Sequence, residues 1–310
     1  MEGAISPESP TTRIAVVTGG NKGIGLEVCR QLAVNGVTVV LTARDEARGA
    51  AAVERLRVLG LANVIFHQLE VTDASSITRL ADFLLNRFGK LDILVNNAAV
   101  GGAEPVDDPS FGPKPTEEQF SGMDALKRVQ WLWMHCKQTN DAAKAGLQTN
   151  YYGTKHVTEA LLPLLRSSSD ARIVNVSSEF GLLRYFKNEE LKRELSDVDG
   201  LTEARLDEML DAFARDFEAG ALEARGWPAE FSAYTVAKVA VNAYTRVLAR
   251  RHPELRVNCV HPGFVRTDLN YNSGFVTPEE GGGKVVAVAL LPEGGPTGAF
   301  FHDGKEASFV

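Results

Sequence analysis

Six short runs, at positions 14–18, 37–42, 64–68, 91–96, 172–177 and 256–260, are nearly continuous in apolar and β-branched residues. A strand with one face in water alternates apolar and polar side chains, so uninterrupted apolar strands belong to a sheet covered on both faces. The segments between the runs, such as 45–59 and 74–88, have helical length and helical apolar spacing. Strands that alternate with helices pair in parallel through crossovers. The reading is an α/β fold, a doubly wound parallel sheet of the Rossmann type, in one domain over residues 13–310.

Two stretches break the rhythm, 100–147 and 179–233. The first is rich in Gly, Pro and Asp up to residue 115, then turns aromatic and helical around Trp131, Trp133 and Met134, which read as the packing face of an inserted helix. The second holds a charged amphipathic stretch, 189–224, whose Leu191, Leu195, Leu206, Leu210 and Phe213 suit a helix buried on one side. Both insertions follow the carboxyl ends of strands, the face where open α/β sheets bind ligands, so both are expected to shape a pocket. The second is expected to cap the substrate side of the cleft. Residues 1–12 carry Glu2 and Glu8 and no apolar stretch, and read as a disordered leader rather than a signal peptide.

Charge and cysteine usage narrow the partners. A net charge of -7, with no Lys/Arg-rich run to offset it, repels nucleic-acid phosphates and anionic lipid. No run reaches the ~18 apolar residues of a spanning helix. The cysteines, Cys29, Cys136 and Cys259, are odd in number and far apart, which suits neither a disulfide framework nor a Cys-x-x-Cys metal knuckle. Cys136 and Cys259 read as small buried apolar residues. No pair of histidines has metal-ligand spacing, so no metal is expected, and the thiols suit a reducing, cytoplasmic compartment.

The first strand runs into Thr18-Gly19-Gly20-Asn21-Lys22-Gly23-Ile24-Gly25 and then into a helical pattern. Glycines between a strand and a helix permit a tight turn and close backbone approach, and the helix N–H groups face an anion. That is the chemistry of a dinucleotide diphosphate. A fold that binds NAD places an Asp or Glu at the end of the second strand for the ribose hydroxyls. This chain reads Leu41-Thr42-Ala43-Arg44 there. A guanidinium forks onto a 2′-phosphate, and Lys22 adds a second cation, so NADPH, with NADP its oxidised form, is the expected cofactor. The same two cations also suit a solvated surface.

Tyr234 and Lys238 are four residues apart and share one helix face. Ser177 and Ser178 end the fifth run, and Asn150 opens another helical run. The glycine pattern, the Asn96-Asn97-Ala98 turn, Asn150, Ser178, Tyr-x-x-x-Lys and His261-Pro262-Gly263 follow one another in that order. In this the chain resembles the short-chain dehydrogenase/reductases, over about residues 13–301. The phrases Leu147-Gln148-Thr149-Asn150-Tyr151-Tyr152-Gly153 and Gly226-Trp227-Pro228 are similar to its carbonyl-reductase-like branch, which takes in plant salutaridine and menthone/neomenthol reductases.

The resemblance implies a reductase of ketones or aldehydes on mid-sized apolar compounds, terpenoid or alkaloid-like, and a monomer. It makes Tyr234 the general acid and Lys238 the group that lowers the phenol pKa and binds the nicotinamide ribose. Ser178 would bond the substrate oxygen, and Asn150 would hold a water leading from Lys238 to solvent. For the cofactor it implies contacts from Gly19, Asn21, Lys22, Gly23, Ile24, Gly25 and Arg44, from Glu70 and Val71 at the adenine, from Asn96 and Asn97, and from Val265 and Thr267. The family turn ends in glycine where this chain has Ala99, a poor residue for positive φ. A catalytically silent NADPH-binding sensor or scaffold, or a dehydrogenase running mainly toward alcohol oxidation, would carry the same residues.

Overall fold

The computed structural model describes residues 12–106 and 117–310. The leader expected at 1–12, except for Thr12, lies outside the described residues, as does most of the Pro-rich part of the first insertion. The chain first alternates through β1 (Ile14–Val17), α1 (Gly23–Val34), β2 (Thr38–Ala43), α2 (Glu46–Val58), β3 (Val64–Gln68), α3 (Ala74–Phe88) and β4 (Ile93–Asn96). A small antiparallel ribbon of β5 (Glu104–Pro105) and β6 (Cys136–Lys137) brackets α4 (Ala125–Met134). Then α5 (Asn140–Leu147) runs through a π-helical turn at Gln148–Gly153 into α6 (Thr154–Arg166). After β7 (Arg172–Val176) come α7 (Glu189–Ser196), α8 (Glu203–Glu218), α9 (Ser232–Arg251), β8 (Arg256–His261), α10 (Pro278–Ala289), β9 (Phe300–His302) and β10 (Lys305–Ala307).

The main sheet has the order β10-β9-β8-β7-β4-β1-β2-β3, parallel throughout except for β10 against β9. Side chains alternate across a strand, and both sets are buried. Ile14 and Val16 of β1 join the core shared with α3, α6 and α9, whereas Ala15 and Val17 join the core shared with α1, α2 and α10. β1 pairs with β2 on one side and β4 on the other. The chain leaves β1 in one direction and later returns to its opposite edge, so the loops after β1 and β4 part and open a crevice at their carboxyl ends.

β9 and β10 are too short, at three residues each, to display a period in the sequence, and they form only as the edge of an existing sheet. Asn150 does not open a helix. It sits inside a continuous helical run, where the flanking residues Leu147 and Thr154 both keep helical backbone angles.

The amphipathic stretch 189–224 folds against the flank of α9. Leu206, Met209, Leu210 and Phe213, one stripe of α8, are buried in the core of α5, α6 and α9. Asp207 accepts hydrogen bonds from Lys155 Nζ at 2.6 Å and Tyr151 Oη at 3.0 Å. Arg246 donates to the carbonyls of Leu195 and Ser196, and Arg250 to that of Leu201. Arg246 lies 12 residues beyond Tyr234 on α9, or about 18 Å at ~1.5 Å per residue. The apolar stripe therefore lies on a ready apolar helix flank, whereas the two ends of the 179–233 insertion, at Phe180 and Phe231, come together beside Tyr234.

The element that bridges the cleft is α4. Leu132 is its one buried residue, and half-buried Trp131 packs edge-on against the buried Phe120 ring at 5.1 Å. Trp131 meets Tyr271, beyond β8, edge-on at 6.4 Å, and Trp133 meets Phe231, before α9, at 5.1 Å. Arg128 donates to the Ser273 carbonyl at 2.9 Å. Among the described residues, no helix is long and apolar enough to cross a membrane.

Candidate active site

The turn from β1 to α1 is built for close backbone approach. Gly19 has φ +64°, and a Cβ on Gly25 would lie 2.4 Å from the Gly19 carbonyl oxygen. α1 begins at Gly23 after an extended Lys22, and no side chain caps it. The N–H groups of its first turn, from Gly23, Ile24 and Gly25, are thus left for an anion beside the positive end of the helix dipole. Asn21 is held by Arg55, which donates to its carbonyl at 3.1 Å. These residues fit a nucleotide diphosphate.

The other expected cofactor residues divide. Asn97 faces the turn, its Nδ2 donating to the Thr18 and Gly19 carbonyls at 2.9 and 3.2 Å. Thr18 Oγ1 accepts from the backbone N–H groups of Asn97 and Ala98, both at 2.9 Å. Asn96 points away. Its side chain is buried and donates to Thr158 and Asn175 under the sheet, which leaves its backbone for a cofactor contact. Ala99 is not among the residues with positive φ, so this turn does not need the family's glycine.

Arg44 is exposed just past the end of β2. Lys22 is not a free cation, because its Nζ donates to Asp268 at 2.6 Å. Both partners are more than half exposed, so that pair is worth only ~0.2–1 kcal/mol and opens readily to a competing phosphate. Glu70 turns its carboxylate onto the N–H and hydroxyl of Thr72, at 3.2 and 3.0 Å, and Val71 is buried beside Gly153. Val265 is buried, with its N–H on the Gly263 carbonyl at 3.0 Å, and the Thr267 methyl lies against Gly23.

Tyr234, Lys238, Ser178 and Asn150 come from α9, the end of β7 and the π turn. Tyr234 is half-buried, and the Ser178 side chain lies near enough to its hydroxyl to favour the phenolate. Lys238 Nζ lies 5.7 Å from the Tyr234 ring centroid and donates to the Val176 carbonyl at 2.7 Å. Burial lowers the Lys238 pKa to about 8. Burial also raises the Tyr234 pKa, against the smaller opposing effect of the Ser178 hydrogen bond. The ammonium, bound to a carbonyl rather than to the phenol, does not offset the loss of water around it. Asn150 is the most fixed of the four: its side-chain amide makes two hydrogen bonds to the Val100 backbone, at 2.8 and 2.9 Å, and its carbonyl accepts from Thr154 Oγ1 at 2.9 Å.

Three supports escaped the sequence reading. His261 Nδ1 accepts from the Glu179 N–H at 3.2 Å, next to Ser178. It can do so because burial, aided by nearby His302 and Lys284, brings its pKa down to about 4 and keeps it neutral. Gln138 Oε1 accepts from both the N–H and the hydroxyl of Ser232, each at 2.6 Å, and supplies the cap that α9 lacks. Phe180, two residues after Ser178, meets the Tyr234 ring edge-on at 6.3 Å. Cys29 and Cys259 are buried and Cys136 half-buried, and all three are free thiols.

A crevice built for a nucleotide diphosphate beside a Ser, Tyr and Lys cluster is the plan of a nucleotide-dependent oxidoreductase. Residues 13–119 match the family described as short chain dehydrogenase, and residues 220–289 match that described as Enoyl-(Acyl carrier protein) reductase. Salutaridine reductase of Papaver bracteatum is 48% identical over 302 residues, 96% of each chain. (+)-Neomenthol dehydrogenase of Arabidopsis thaliana is 45% identical, over 96% of this chain and 99% of its own. The solved structure of salutaridine reductase from Papaver somniferum is 47% identical, with a TM-score of 0.83, covering 94% of this chain and 99% of that one. The chain belongs to the short-chain dehydrogenase/reductase family and is an oxidoreductase.

Proposed function

We propose that the protein uses NADPH to reduce a ketone or aldehyde on a mid-sized apolar compound, terpenoid or alkaloid-like, to the alcohol. The observation that carries this reading is the gathering of Ser178, Tyr234 and Lys238: Phe180 links the first two, bonding Ser178 Oγ through its N–H and meeting the Tyr234 ring, and Lys238 lies one helical turn along. Two neighbouring hydroxyls supply two donors to one carbonyl oxygen: Ser178 binds it as charge grows, and Tyr234 delivers the proton. A phenol whose pKa is raised is protonated at neutral pH, the form a proton donor needs. When bound, the nicotinamide cofactor supplies the hydride. The test is NADPH oxidation followed by absorbance across monoterpene ketones, alkaloid ketones, quinones and simple aldehydes. Cofactor binding with no turnover of any of them would sink the reading.

Cofactor choice rests on Arg44, at the second strand end where an NAD site has a carboxylate, and on Lys22, whose exposed partner Asp268 is easily displaced. NADPH is expected to bind at least ~10-fold more tightly than NADH, about 1.4 kcal/mol. Arg44→Ala should erase most of that preference; equal efficiency with both cofactors in the parent protein would contradict it.

The protein is proposed to act as a monomer. α8 occupies the outer flank of α5 and α9 with its apolar stripe, and that flank is what a second copy would need in order to pair through α9. Light scattering should give the mass of one chain at all concentrations. A concentration-independent dimer would overturn this.

A further inference from the structure

Aromatic rings occur in two settings in this protein. Phe186 and Phe213 each meet Trp227 edge-on and all three are buried, so the protein itself completes their surroundings. Phe180, Phe231 and Trp133 also form a continuous row, with centroids 5.8 and 5.1 Å apart, but each is half-buried. The row starts at Tyr234 and ends on α4 at Trp133.

Phe231 shows that the row is held against a backbone cost. Its φ and ψ are 46° and 39°, the left-handed region that bulky residues avoid. Gln138 braces the turn on both sides: its Oε1 takes the two Ser232 hydrogen bonds and its Nε2 donates to the Ala229 carbonyl at 2.9 Å. A glycine would make the same turn without strain, so the ring is what the phenylalanine adds.

We propose that Phe180, Phe231 and Trp133 bind a flat, unsaturated ring attached to the substrate carbonyl, and so favour aryl or ring-conjugated ketones over saturated, puckered ones. The proposal rests on the reading that Ser178 and Tyr234 hold the carbonyl oxygen. Phe180 joins the two, because its N–H donates to Ser178 Oγ at 3.2 Å while its ring meets Tyr234. A planar ring next to the carbonyl gains face or edge contact along the row; a chair-shaped ring of equal size does not.

The experiment compares acetophenone with cyclohexyl methyl ketone in the parent protein, Phe180→Leu and Phe231→Gly. Phe231→Gly keeps the left-handed turn and removes only the ring, so it tests the row in a protein expected to fold. The change in the kcat/KM ratio between variants cancels the different intrinsic reactivity of the two ketones. Each variant should lower the aryl-to-cyclohexyl ratio about three- to tenfold, mainly through KM for acetophenone, and Phe180→Tyr should restore it. Binding of both ketones to protein saturated with NADP, where no reduction occurs, is read by calorimetry alongside. A ratio unchanged in both variants, or equal losses on both ketones, overturns the aromatic row. Selective acetophenone binding without turnover of either ketone or of any compound in the panel overturns the reductase reading and leaves the row standing.

Discussion

Replacing Tyr234 by phenylalanine is expected to lower turnover by about 100-fold or more, the usual scale of general acid catalysis, with cofactor affinity unchanged. The substitution removes one hydroxyl and keeps the ring. The ring's neighbour Phe180 and the cap that Gln138 gives α9 do not involve that hydroxyl, so the fold around it should persist. What goes is the proton source. Ser178 keeps its place, since its Oγ is also fixed by the Phe180 N–H at 3.2 Å, but a serine hydroxyl has no ammonium one helical turn away to replenish it. The measurement is single-turnover reduction with a ketone found in the panel, beside titration of NADPH binding. Residual activity above about a tenth in a folded Tyr234→Phe protein would mean that another group delivers the proton, against the scale expected for an acid catalyst.

The sheet was readable because its strands are buried on both faces, and that burial shows directly as unbroken apolar runs. The Tyr234 and Lys238 pair was readable because a helix converts a spacing of four into one face. What stayed hidden depends on long-range contact. Gln138 caps α9 across 94 residues, and Lys22 meets Asp268 across 246, with no local pattern in either case. The stripe of α8 announces one buried face but not which surface it meets, and it meets the flank of α9. Successive side chains of an extended strand point to opposite faces, so the Asn96 side chain turns under the sheet while that of Asn97 faces the glycine turn.

Lys238→Met is expected to abolish turnover, again by about 100-fold or more, while making the protein at least as stable at pH 7. The ammonium is buried, and its pKa falls from 10.5 to about 8. A basic group whose folded pKa lies below its unfolded value is charged at a cost: the unfolded chain holds the proton more tightly. A shift of that size corresponds to about 3 kcal/mol, present in full below pH 8 and lost as pH rises toward 10.5. Methionine fills similar space without charge and removes that cost. It also leaves the Val176 carbonyl without its 2.7 Å donor, a loss of ~1–3 kcal/mol for a buried acceptor, so the net gain at pH 7 is at most modest. The sharper test is the pH dependence. Other titrating groups are common to both proteins, so the stability of Lys238→Met minus that of the parent isolates this one lysine. Urea unfolding of the pair should show that difference falling steadily between pH 8 and pH 10.5. A difference that stays flat across that window would mean the ammonium is solvated in the folded protein, and with it would go the argument that Lys238 stands charged and dry beside Tyr234.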